Sequence, residues 1–175
     1  MNSIDQLDAA VSSALKSLAE ELKSGGWEGK REREVVSLFC FGHLLARCRP
    51  ATVLHDPAQI SIEVAVPQIP EQKQLSGKVS SKTQVCKDIV IWPRPRMTCW
   101  DANGKATIRP LSIIEWKHNE PAMSGYDMDW LRRFSEEGSE FVGYAVSTKK
   151  PAKGSVLSCT RVSRGERVDQ WVHIP

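Results

Sequence analysis

The stretch "LSIIEWKHN", Leu111 to Asn119, decides how this chain is read. Its apolar run has the length and β-branched content of a buried strand, yet Glu115 and Lys117 interrupt it one residue apart. Side chains alternate along a strand, so Glu115 and Lys117 project to one face and Ile114 and Trp116 to the other, the core face. A second apolar strand, "VCKDIVIW" from Val85 to Trp92, carries a carboxylate of its own, Asp88. Neighbouring strands lie about 4.8 Å apart, so if these two pair, Asp88 and Glu115 converge beside a lysine.

Working outward, residues Ser3 to Lys23 place Ile4, Leu7, Val11, Ala14, Leu15, Leu18 and Leu22 on one stripe, with Asp5 and Asp8 near the start and Gly25-Gly26 after the end, which predicts an amphipathic helix. Its seam is close to a heptad, so packing on its own domain competes with pairing to a second copy. A second helix is expected from Glu28 to Arg47, stopped by Pro50. Gln59 to Val66 alternate as a half-buried strand, and Pro70 to Thr83 read as a loop. Pro93 to Arg109 are expected to lengthen the two central strands as a hairpin with a type I′ turn at Asn103-Gly104. A helix starting between Ser124 and Asp129, a strand from Glu140 to Ser147 and a final hairpin turning at Arg164-Gly165 complete the order α, α, β, β, β, α, β, β, β.

At 175 residues the chain has the size of one domain. Its ordinary hydrophobic content and six tryptophans suit a folded core. Neither an export signal nor a membrane span is expected, and five cysteines without a CxxC pair point to a reducing cytoplasm. The net charge of +3 names no partner, but the basic residues are clustered, which would suit a polyanion if several clusters share a face.

Two carboxylates converging beside a lysine suit a hard divalent cation such as Mg²⁺, which keeps several waters and takes other oxygens from a phosphate. The lysine then orients a polarised water or stabilises charge growing on the phosphate. The plain alternative is a solvated strand face whose ion pair contributes under about 1 kcal/mol.

With Asp88, then Glu115-Trp116-Lys117 as Glu-x-Lys, a helix before them and a helix and strand after, residues 28 to 148 resemble the PD-(D/E)xK nuclease superfamily, the restriction-endonuclease-like fold. Lys87 stands where that pattern usually has proline. The resemblance implies an α/β (α+β) domain over 1–175: a central mixed sheet flanked by helices, an extra N-terminal helix over 1–24 and a C-terminal β-hairpin over 155–173. It implies a metal-dependent phosphodiesterase, foremost an endodeoxyribonuclease of restriction, repair, junction-resolving or mobile-element type. Asp88 and Glu115 would hold Mg²⁺, or Mn²⁺ as a substitute, with the Trp116 carbonyl as a further ligand and Lys117 positioning the attacking water. The family often adds a glutamate from the first core helix; of Glu28, Glu32 and Glu34, Glu32 is the choice. Arg94, Arg96, Arg132, Arg133, Lys149 and Lys150 are the phosphate-contact candidates, DNA rather than RNA the expected partner, and a homodimer through the first helix a further expectation. A non-catalytic nucleic-acid-binding or assembly module on the same fold is the alternative. His118 is read as structural or as a DNA contact, and Glu63 as the reserve carboxylate.

Overall fold

The computed structural model describes residues 2–25, 27, 29–69, 83–120, 123–138, 140–149 and 156–175. Helix α1 spans Ser3–Lys23 and begins with a capping box: Asn2 accepts from the Asp5 amide at 2.8 Å, and Asp5 accepts from the Asn2 amide at 3.4 Å. Leu7, Val11, Ala14, Leu15, Leu18, Ala19 and Leu22 are buried in the chain's own core. That stripe is thus consumed within the fold, and a homodimer would need another surface.

Helix α2 spans Glu32–Leu38 and runs on through a π-helical stretch, Phe39–Leu44, and a 3₁₀ turn, Leu45–Arg47. It starts later than the apolar periodicity suggests, and Glu28 lies outside the described residues. Arg31 is extended, and the Glu34 carboxylate accepts from the main-chain amides of Lys30 at 2.6 Å and Arg31 at 2.9 Å. Those two bonds, to Arg31 and then Lys30, hold the Glu34 carboxyl below the usual carboxylate range.

Six strands form one sheet in sequence order: β1 Ile60–Pro67, β2 Gln84–Ile91, β3 Ser112–His118, β4 Val142–Thr148, β5 Leu157–Ser163 and β6 Glu166–Ile174. Every neighbouring pair is antiparallel except β3 and β4, which are parallel. A parallel pair needs a crossover, and helix α3, Gly125–Glu136, supplies it, capped by the Ser124 hydroxyl on the Asp127 amide at 3.1 Å. The architecture is therefore α/β, a mixed sheet covered on both faces. Against α1 and α2 lie Ile89, Ile91, Ile114, Trp116, Tyr144 and Val146; against α3 lie Val90, Trp92, Ile113, Ala145 and Val162.

The segment after β2 departs from the expected hairpin. Its described residues make one isolated bridge, Trp100↔Ala106, and it folds back on β1 through Trp100 Nε1, which donates to the Ala65 carbonyl at 3.1 Å. Gly104 has φ 73, but Asn103 is not among the described residues with positive φ, as a type I′ turn requires. Asp101 shapes the turn instead, accepting from the Asn103 and Lys105 amides at 2.9 Å each. The type I′ geometry occurs in the last hairpin, where Arg164 and Gly165 have φ 54 and 77 between the paired Ser163 and Glu166.

Candidate functional site

The opening stretch forms β3, buried on both sides. Trp116 packs on Phe39 of the α2 continuation, ring centroids 5.1 Å apart, and its Nε1 donates to Thr148 Oγ1 at 2.9 Å. Glu115 points to the α3 face and is only 5% exposed, so the solvated ion-pair reading does not describe it.

β2 and β3 are in register at Ile89↔Ile114, and the next pair in that register would be Asp88 and Glu115. The ladder stops there. Asp88 reaches across and accepts the Trp116 amide on Oδ2 at 2.7 Å, standing in for a main-chain acceptor. On its other side Asp88 faces Glu63, which the β1–β2 register skips and which has φ 53. Side-chain alternation switches at this irregularity: Ile60 and Ile62 pack with the α1/α2 core, Val64 and Val66 with the α3 core. β2 turns with β1, sending Lys87 towards α3.

There Lys87, 2% exposed, donates through Nζ to Glu115 Oε1 and lies 4.0 Å above the Trp130 ring. Burial pushes the Glu115 carboxyl up to about 7, against the downward pull of Lys87, while Asp88 and Asp127 push it further up. In the Glu-x-Lys pattern Lys87 figures only as a departure from proline. An ammonium inside an apolar strand, one residue from the first carboxylate, was the available signal that it needed a buried partner.

Lys117 makes a second pair. Its Nζ donates to Glu32 Oε1 at 3.3 Å, and Glu32 Oε2 accepts the His118 amide at 3.2 Å. Burial lowers the Lys117 pKa, but the Glu32 carboxylate more than offsets it, and the net shift is upward. Asp88, bonded to the Trp116 amide between Glu115 and Lys117, and Glu32, bonded to Lys117, thus lie beside the parting of β2 and β3, while the Glu115 carboxylate is engaged by Lys87. Glu32, Glu63, Asp88, Arg33 and Cys86 line a cleft of about 620 Å³ there, with Arg33 Nε 2.6 Å from Glu63 Oε1. The reserve carboxylate therefore belongs to the same cleft.

His118 is buried, with Nδ1 3.0 Å from Thr148 Oγ1 and its ring edge-on to Trp27, contacts that a structural role accounts for. Among the proposed phosphate contacts, Lys149 follows Thr148, the register partner of His118, and so lies at the Lys117 end of the sheet. Arg94 and Arg96 follow the far end of β2, beside the start of β3, and do not share that end. Arg132 pairs with Glu136 along α3 at 2.5 Å, Arg133 is on the same helix, and Lys150 lies outside the described residues. All five cysteines are free thiols.

Among the described residues, no three His, Cys, Asp or Glu side chains are gathered as a metal-holding group. Mg²⁺ needs fewer, because one or two carboxylates suffice when waters and phosphate oxygens complete the shell. Asp88, open to the cleft, and Glu115, one position beyond the last β2–β3 register pair, are of that donor type. No helix among the described residues is long and apolar enough to cross a membrane. No protein-family model, curated protein or solved structure matches the chain.

Proposed function

We propose that this chain is a metal-dependent nuclease with a restriction-endonuclease-like core, hydrolysing DNA in preference to RNA. One observation carries the reading: Asp88 accepts the Trp116 amide between Glu115 and Lys117, and Lys117 donates to Glu32, so hydrogen bonds across 28 and 85 positions of sequence gather the residues of the pattern beside the gap between β2 and β3. The element order agrees with it: a helix, three antiparallel strands, a helix and a strand parallel to the third.

In this account Asp88 and Glu115 hold Mg²⁺ or Mn²⁺, with the Trp116 carbonyl as a further oxygen donor. The bound ion supplies charge stabilisation at the phosphate and a more acidic water. Lys117 places its ammonium beside the reacting phosphate, where it orients the attacking water and stabilises growing negative charge. Glu32 fixes the Lys117 side chain and keeps it protonated, so Lys117 acts as a cation and hydrogen-bond donor rather than a base. Lys149 at the same end of the sheet extends positive charge along the DNA backbone, and binding weakens with salt.

A second reading, a non-catalytic nucleic-acid-binding module, draws on the burial of Glu115 against Lys87, which resembles a structural ion pair. The two are separated by incubating supercoiled plasmid, single-stranded DNA, a four-way junction and RNA with the native chain and with Lys117→Ala, in Mg²⁺, Mn²⁺ or EDTA. Metal-dependent cutting by the native chain, abolished in the variant, is expected. Binding without cutting in either metal would favour the second reading.

A further inference from the structure

We infer that Lys87 is a positioning residue for the metal site: by holding Glu115 Oε1 it fixes the carboxylate so that Oε2 serves the cation. This rests on the nuclease reading above and adds a residue to it that the Glu-x-Lys pattern does not contain.

The geometry is that of a built support. Lys87 Nζ is inaccessible to solvent or substrate, so it touches no reacting group, and its polar contact is the Glu115 carboxylate. Its other neighbour, the Trp130 ring, is itself fixed: Trp130 Nε1 donates to Gln68 Oε1 at 3.0 Å, and Gln68 Nε2 donates to the Tyr126 hydroxyl at 2.6 Å. A chain of contacts thus runs from α3 through Trp130 and Lys87 to Glu115. The irregularity at Glu63 and Asp88 serves two ends: it releases Asp88 to bridge to Trp116, and it turns Lys87 onto the face where Glu115 lies.

The sign of the effect separates two roles. A lysine that merely competed with the cation for Glu115 would, when removed, tighten metal binding. A lysine that orients the ligand would, when removed, weaken it, and partners of this kind are commonly worth 10-fold or more in affinity. Positioning is favoured because Lys87 is immobilised by burial and by the ring, whereas a competitor needs freedom to swing aside.

The test is calorimetric titration of Mn²⁺ into the metal-free native chain, Lys87→Met and Lys87→Arg, with near-ultraviolet circular dichroism of the tryptophans as the check on folding. Lys87→Met is expected to bind Mn²⁺ about 10-fold more weakly than the native chain, and Lys87→Arg, which keeps charge and donors, to recover most of the loss. Unchanged or tighter binding by a folded Lys87→Met overturns the inference. If Lys87→Met does not fold, Lys87→Gln is judged by the same criterion. Absence of Mn²⁺ binding by the native chain is a different result, which removes the metal-site reading beneath it.

Discussion

Two lysine–carboxylate pairs lie within one short reach of the sheet and are built for different work. Lys87–Glu115 is sealed between β2, β3 and α3, with side chains 1% and 7% exposed, whereas Lys117–Glu32 stands at the open end of β3 with 21% and 31% exposed. A buried pair has lost its water, so each charge depends on the other. A partly exposed pair is better screened and contributes less to folding. The same residue types therefore provide rigidity in one place and availability in the other. Their separation follows from the strand irregularity that sends Lys87 and Asp88 in different directions.

The comparison breaks most readily on stability. Glu115→Ala leaves the Lys87 ammonium buried without a counter-charge and is expected to cost about 3–5 kcal/mol in urea unfolding. The double variant Lys87→Met/Glu115→Leu, which removes both charges, is expected to recover most of that loss while holding no Mn²⁺. Asp88→Ala strands the Trp116 amide and is expected to cost about 1–3 kcal/mol, whereas Asp88→Asn keeps an acceptor for that amide and costs less. Both Asp88 variants are expected to show no metal-dependent cleavage of supercoiled plasmid.

A pH titration sharpens the same contrast. Glu115 keeps its proton up to about 7 in the fold against an ordinary 4.5, so the folded state binds more protons than the unfolded state between those values. Metal-free stability should therefore fall as pH rises from about 4.5 to 7 and level off above, and Glu115→Gln should flatten that fall in thermal melts. The smallest stability effect is expected at the open pair: Lys117→Ala changes folding by under about 1 kcal/mol. Its cleavage rate should nevertheless drop by about 100-fold or more, as for loss of a positioned donor that stabilises developing negative charge. A large stability loss in Lys117→Ala would erase the distinction between the pairs.

Local signals carried much of this in the sequence. The α1 stripe and the start of α3 near Ser124 are encoded in neighbouring residues, and the structure forms both, whereas the alternation of β1 holds only on either side of Glu63, where the faces switch. Glu32 was legible because helical spacing separates it from Glu34, whose carboxylate caps the helix instead. What stayed hidden depends on partners distant in sequence. The Lys87–Glu115 pair follows from a left-handed residue at Glu63, a conformation that nothing in "ISIEVAVP" announces. The Asn103-Gly104 turn followed its Asp101 side chain rather than the dipeptide, because a hairpin turn type needs flanking strands and this segment packs on β1 instead.

The central proposal is a cation held by Asp88 and Glu115, with the Lys117–Glu32 pair beside it. Its most direct test is to add substoichiometric Mn²⁺ to isotope-labelled native chain and follow backbone amide signals by NMR. Selective broadening of Asp88, Glu115, Trp116, Lys117 and Glu32, abolished in Asp88→Asn, is the predicted result. Broadening centred elsewhere, or unchanged in Asp88→Asn, would contradict it.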